Sequence, residues 1–321
     1  MLKRIYKPLT IGVFALLLVA CSTSQSVRNA NIPPAAEAPF YAGDFIADQQ
    51  LDNPLIGHFW SPATEQFYSW EQVLTMLPEG GWVMLGEQHD HPDHHVFQAE
   101  FLQALADERV LGNVAMEMLA VDQQRALDSS MMRRDLLPYE LNWNPGWPWE
   151  HYQAQVHIAL MWANRVLAGD LAEEQKDATR RDIVEIPHYS PAHSEFLLDL
   201  VVTSHCNLFP ADMAAPMLKM QLARDQFMAR QMNRNVLADK VSVFIAGGGH
   251  VRADYGAPLW LNAEVPRLTI MLQAVGSEHD ASTYLQDRVE GRLPADLIYF
   301  VPAVEERDYC AEFLETMRGG S

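Results

Sequence analysis

The sequence predicts an α/β fold, a mainly parallel sheet flanked by helices, with a smaller all-helical lobe. Three observations lead there. Six short apolar runs are near-continuous rather than alternating, as expected of strands covered by helices on both faces. A well-formed amphipathic helix lies between the first two runs, so strand, helix and strand follow one another as in a βαβ unit. The middle of the chain carries helical spacing, many Met and Trp residues, and hardly any further strand.

Taken in order, the elements begin with a targeting segment. Lys3, Arg4 and Lys7 form a positive region, and Ile11 to Ala20 is an apolar stretch of signal-peptide rather than membrane-spanning length. Leu18-Val-Ala-Cys21 fits a lipobox, so residues 1–20 are read as a lipoprotein signal peptide and Cys21 as the lipidated residue. Ser22 after the cysteine favours the outer membrane, and acyl chains on Cys21 would anchor the protein to the cell envelope. Residues 21–39, rich in Ser, Thr, Asn, Ala and Pro, have too few large apolar groups to offset the entropy of ordering and read as a disordered tether. About 280 residues remain, enough for one large domain or two unequal lobes.

The predicted strands are Trp82 to Leu85, Val114 to Met116, Val166 to Ala168, Val241 to Ala246, Leu268 to Leu272 and Leu297 to Val301. They divide the chain into a first α/β part at 40–119, a mainly helical lobe at 120–237 with a sheet strand near 166–171, a second α/β part at 238–303, and a C-terminal tail at 304–321. The helix after the first strand opens with Pro92 and Asp93 and aligns Phe97, Phe101, Leu102 and Leu105 on one face. His94 and His95 are expected on its solvent face and N-terminal turn. Asn142-Trp-Asn-Pro-Gly-Trp-Pro-Trp149 must be a loop, because two prolines and a glycine cannot sit inside a helix at that density. Its tryptophans read either as a hydrophobic plug between lobes or as a cap over a cavity.

With 23 Lys and Arg against 42 Asp and Glu, the formal charge of −19 argues against a nucleic-acid partner. Cys206 and Cys310 follow the lipobox cysteine. An oxidising envelope would let them pair if they lie close enough; a disulfide and two separate buried thiols both stay open.

Chemistry concentrates at strand ends. Gly86-Glu-Gln-His89 follows the first strand, and Gly247-Gly-Gly-His250 follows the Val241 to Ala246 strand, both as Gly-x-x-His. Glu117 holds the matching position after Val114 to Met116. In open parallel sheets ligands bind in the crevice beyond the carboxyl ends of the strands. The pattern therefore predicts Glu87, His89, Glu117 and His250 on one rim. Four of the twelve histidines fall in His89-Asp-His-Pro-Asp-His-His95, a density that suggests metal or cofactor contact. Of these, His89 is read as the inward residue. Ser204-His-Cys206 and Arg224-Asp225 add polar groups within apolar helices, and His205 is read either as a core histidine or as a site residue.

At these residues the chain resembles the ChaN family of iron-regulated haem-binding lipoproteins. The resemblance rests on Leu85-Gly-Glu-Gln-His-Asp90 with His94-His95, Ala115-Met-Glu117, Gln221-Leu-Ala-Arg-Asp225 with Met228-Ala229, and the long block Ala246-Gly-Gly-Gly-His-Val-Arg-Ala-Asp-Tyr-Gly-Ala-Pro258. With Asp308-Tyr-Cys310 near the end, it spans nearly the whole mature domain. Two departures stand out: Ala168-Gly-Asp170 where the family commonly has Ala-Asn, and Tyr309 in place of the usual proline before the late cysteine. The wider superfamily, marked by paired Gly-x-x-His motifs, includes Tiki proteases and erythromycin esterases.

The resemblance implies haem held by a tyrosine, a homodimer around stacked haems, and an outer-membrane haem receptor as a further partner. Tyr255, three residues after Arg252, is the leading candidate for the haem-iron ligand, with Tyr152 and Tyr189 open. His89 or His250 would meet the propionates or the iron, and Arg224 and Arg252 would pair with the propionates. Met213, Met217, Met220, Met228 and Met232 recur at helical spacing, as ordinary core or as a wall for the porphyrin. Two other functions compete. In a metal-dependent hydrolase or peptidase, Glu87, His89, Glu117 and His250 would hold a divalent cation or act as base and electrophile. In a non-catalytic envelope scaffold the same site would be vestigial.

Overall fold

A computed structural model describes residues 40, 44–181, 189–208, 211–285 and 288–319. The predicted signal peptide, the predicted lipidation site Cys21 and the predicted tether lie outside them. Among the described residues no helix is long and apolar enough to cross a membrane.

The strands are β1 (Phe59–Ser61), β2 (Gln66–Tyr68), β3 (Gly81–Glu87), β4 (Leu111–Ala120), β5 (Val166–Asp170), β6 (Val241–Gly247), β7 (Arg267–Ala274) and β8 (Leu297–Val301). They form one sheet in the order β2-β1-β8-β7-β3-β6-β4-β5. From β8 to β5 every pairing is parallel, and all six predicted strands are there. The hairpin β1–β2, which the sequence reading missed, adds an antiparallel edge against β8. At the opposite edge the side-chain amide of Gln124 pairs with β5 as a strand would, donating to the Val166 carbonyl at 2.9 Å and accepting from the Ala168 N–H at 2.8 Å.

The described helices are α1 (Trp70–Met76), α2 (Pro92–Asp107), α3 (Gln124–Ser130), α4 (Trp149–Trp162), α5 (Glu173–Arg181), α6 (Pro191–Ser204), α7 (Ala211–Arg234), α8 (Gly248–Val251) and α9 (Tyr309–Gly319), with short 3₁₀ turns between some of them. Helices α2 and α4 cover one face, where Phe97, Phe101, Tyr152 and Val156 pack on Val83, Leu85 and Val243. The second half of α7 covers the other, setting Met228 and Met232 against Trp82, Met84 and Phe244. Helix α6 and the first half of α7 share a small core of their own, made by Leu197, Val201, Ala214, Leu218 and Leu222. The methionine series therefore divides: Met228 and Met232 are core, whereas Met213 is exposed.

The expectation that His94 and His95 face solvent fails. Both are buried: α4 lies against His95 through His151 and Tyr152, and His94 stacks on His91 beneath the loop after β3. His94 Nδ1 accepts the Gln88 N–H at 2.9 Å. Burial drives the His94 pKa well below that of an ordinary imidazole and lowers that of His95 to about 4. Asp93, at the positive end of α2, binds the Ile46 and Ala47 N–H groups. Cys206 and Cys310 form a disulfide with 5.5 Å between Cα atoms, which settles the alternative left open.

Candidate functional site

Because β3, β4, β5 and β6 run parallel, their carboxyl ends deliver side chains to one rim. Glu87 ends β3, Glu117 sits late in β4, Asp170 ends β5, and Gly247 ends β6. The loop after β3 turns His89 back over this rim, with Nδ1 2.8 Å from Glu87 Oε1 and Nε2 3.8 Å from Glu117 Oε2. Such a close approach needs glycine at 247, since a Cβ there would lie 2.6 Å from His89 Nε2. The Trp147 ring stands edge-on to His89 at 4.8 Å, so the Trp-rich loop closes one side of the site.

Beneath His89 the Glu87 carboxylate is filled from within the protein. Tyr152 Oη donates to Oε1 at 2.8 Å, and Gln98 Nε2 donates to Oε2. Tyr152 is fully buried, and burial together with the adjacent Glu87 carboxylate pushes its pKa far above that of a free phenol. Across the rim, Glu117 accepts from Arg224 Nη2 through Oε1 and from the Gly247 N–H through Oε2 at 2.7 Å. Burial alone would raise the Glu117 pKa; His250, Arg224 and His89 overcome it and hold the carboxyl well below its usual range.

Arg224 reaches the rim from α7 and is buried. It is bound to Asp170, Glu117, Gln221 and His250. His250 Nε2 lies 2.9 Å from Arg224 Nη1, and its Nδ1 lies 2.6 Å from Asp225 Oδ1. A guanidinium only donates, so in the neutral ring Nε2 accepts and the proton sits on Nδ1 facing Asp225, a tautomer assigned from the network. Burial raises the Asp225 pKa against the pull of His250 and Arg224. For His89 burial disfavours charge, but the Glu87 hydrogen bond and the Glu117 and Glu87 carboxylates outweigh it, and the pKa rises above the ordinary value.

Glu87, His89, Glu117, Arg224 and His250 thus line one polar cleft, with Tyr309 at its edge. Next to it, sharing Gln221, Gly249 and His250, lies a cavity of about 330 Å³ between α6 and α7. Its walls are largely apolar and include Leu197, Leu200, Met217 and Leu222, with Tyr255 on the side of the loop after β6. His205 lies on the rim at the end of α6, its Nδ1 2.7 Å from the Val201 carbonyl.

The three tyrosines separate clearly. Tyr152 is spent on Glu87, and Tyr189 Oη donates to the Tyr255 carbonyl at 3.1 Å, whereas the Tyr255 side chain belongs to the cavity wall. Both arginines read as propionate partners are bonded to protein carboxylates: Arg224 as above, and Arg252 through two bonds to Asp254 at 2.9 and 2.7 Å. Arg252 also lies over the Tyr255 ring, 4.7 Å from its centroid. A divalent cation finds no support. Among the described residues no three His, Cys, Asp or Glu are arranged to hold one, and Glu87 and Glu117 already have protein donors on both oxygens. Sequence reasoning missed Gln98 and the role of Tyr152, which nothing in local pattern marks, and undervalued Asp170, which it noted only as a departure in a loop.

Comparison with known proteins fits this geometry. The family described as "Haem-binding uptake, Tiki superfamily, ChaN" matches residues 73–261, more than half of the chain. The chain belongs to the ChaN family. Among solved structures, the Campylobacter jejuni ChaN, described for cofacial haem binding, is 21% identical with a TM-score of 0.61 and covers 75% of this chain and 95% of its own. An erythromycin esterase, EreC in its open conformation, is 14% identical with a TM-score of 0.42 and covers 81% of this chain and 87% of its own. No curated protein sequence matches. For this ChaN-family chain the first of these neighbours carries the shared fold.

Proposed function

We propose that this ChaN-family protein binds haem in the cavity between α6 and α7, with Tyr255 as the iron ligand, as a lipid-anchored protein of the outer membrane engaged in haem or iron uptake. One observation supports the reading above the rest: of the three tyrosines the sequence offered, Tyr255 is the one whose side chain lines an apolar cavity. The residues present fit the group. Leu197, Leu200, Met217 and Leu222 offer walls to a porphyrin face, Tyr255 offers a hard oxygen donor, and Gln221 and His250 offer a polar end toward the cleft.

Bound ferric haem would supply an iron centre suited to tyrosinate. The chain's own part is to hold that oxygen in place. Arg252 sits over the Tyr255 ring and is itself fixed by buried Asp254, so a cation stays beside the ligand and favours negative charge on it. Asp225 holds His250 at the junction of cavity and cleft. A homodimer around stacked haems, lipid on Cys21 and transfer to an outer-membrane receptor complete the proposal, on the family pattern.

Titrating the purified chain with hemin and following the Soret band tests it. Saturation near one equivalent is expected, with the charge-transfer band of ferric tyrosinate lost in Tyr255→Phe. Absence of a Soret shift at equimolar hemin would overturn the proposal, and an unchanged spectrum in the variant would move the ligand elsewhere.

A further inference from the structure

The C-terminal segment is held at two places, the sheet rim and the end of α6. At the sheet rim, Tyr309 Oη donates to Asp90 Oδ2 at 2.9 Å and accepts from Gln88 Nε2 at 3.0 Å. Arg307 Nη1 reaches the same Asp90 oxygen at 3.1 Å and stacks over the Tyr309 ring. Gln88 and Asp90 flank His89 in sequence, so these bonds clasp the loop that carries it. One residue further on, Cys310 is covalently joined to Cys206, just past the end of α6. The Phe313 ring of α9 stands beside His205, 6.3 Å between centroids.

What the disulfide holds is the wall of the cavity. Leu197, Leu200, Val201, Ser204 and His205, all on α6 or at its end, line it. Among the described residues, helix α6 buries its apolar side chains in the small core shared with α7, separate from the cores on the two sheet faces, and at its start Ser190 bonds to Glu290. An element with so little buried apolar contact opens at lower free energy than the sheet. Its far end is therefore where a covalent tie has the most effect.

We propose that residues 307–310 are a redox-sensitive strap that keeps α6 closed over the cavity, and that reduction of Cys206–Cys310 lets this wall open. The reductant is a dithiol of the thioredoxin class. Its thiolate attacks the sulfur of Cys310, the exposed partner, forming a mixed disulfide and releasing Cys206 as a thiolate that takes up a proton. The second thiol of the reductant then displaces Cys310. Two electrons and two protons pass to the protein, and the reductant leaves as a disulfide. This assignment rests on the haem reading only for the identity of the ligand; the motion of α6 stands without it.

The test uses the purified chain without ligand, oxidised or treated with dithiothreitol, and reads amide hydrogen exchange. Reduction should raise exchange across α6 by about tenfold or more and leave β3 and β6 unchanged. Arg307→Ala combined with Tyr309→Phe, with the disulfide intact, should raise α6 exchange by a smaller factor, because the strap then hangs from one end. Unchanged α6 exchange on reduction overturns the proposal, as does an equal rise throughout the sheet, which would make the disulfide a general staple. No effect of the rim variants overturns the coupling to the His89 loop. In a second arm, hemin loss to apomyoglobin should be faster from the reduced protein. Faster α6 exchange with no hemin bound at all would sink the haem reading and leave the strap in place.

Discussion

Arg224 is the cation on which the rim depends. It faces two buried carboxylates, Glu117 and Asp170; among the described residues Asp170 also has Lys176 at 2.9 Å, and Glu117 also has the His250 and His89 rings at 3.6 and 3.8 Å. In Arg224→Met, which keeps much of the side-chain length, Glu117 stays buried and is left with the His250 and His89 rings, which carry charge only when protonated. Removing one partner of a buried pair costs about 3–5 kcal/mol. In a domain of this size that lowers Tm by about 6–15 °C. The pH dependence sharpens the test. In the native protein the Glu117 pKa lies below its unfolded value of 4.5, so its contribution is complete above that pH and is lost as pH falls through the lower folded value. In the variant the balance shifts toward burial, the folded pKa rises, and protonation of Glu117 or of the neighbouring imidazoles relieves part of the cost. Urea unfolding followed by circular dichroism should therefore show the largest deficit at pH 7 and a smaller one near pH 4. Adding Glu117→Gln to the variant should restore part of the loss at pH 7. A deficit below about 1 kcal/mol at pH 7, or equal deficits at both pH values, would refute the reasoning.

Gly247→Ala should push the His89 ring away from the Glu87 carboxylate and Trp147, at a cost of about 1–3 kcal/mol; an NMR titration should show the His89 pKa, raised in the native protein, falling. His95 is buried with a pKa lowered to about 4, so the unfolded chain takes up its proton first and stability drains as pH falls from 6.5 toward 4. His95→Gln should flatten that acid limb in unfolding curves taken across the range. Tyr152→Phe should cost about 1–3 kcal/mol by leaving a buried Glu87 oxygen one donor short, measured as a shift of the denaturation midpoint at constant slope.

Much of the architecture was legible because buried parallel strands leave a plain mark: a continuous apolar run ending in glycine or a charged residue. Runs such as Trp82 to Leu85 and Val241 to Ala246 fell where the strands are, and their parallel direction placed Glu87, Glu117 and the two histidine loops on one rim. The β1–β2 hairpin left no such mark. Three residues per strand are too few for a period to show, and its turn uses Glu65 at φ 54 rather than a glycine. Partnership inside the site was invisible for a different reason. That Arg224 belongs to Asp170, 54 positions away, or Tyr152 to Glu87, 65 positions away, is decided by how α4 and α7 lie on opposite faces of the sheet. Local spacing carries no record of that, and so the Arg224–Asp170 pair went unread and His95 read as a residue for water.

The Gln124 amide against β5 bears on how copies of this protein meet one another. A bare edge strand offers a ladder of unpaired N–H and C=O groups on which a second sheet can grow. Here the Val166 carbonyl and Ala168 N–H on that edge are already taken, and the far edge is a strand of only three residues. Neither border gives a neighbouring molecule enough backbone to zip onto, so the sheet resists sticking edge to edge even where many copies are crowded side by side.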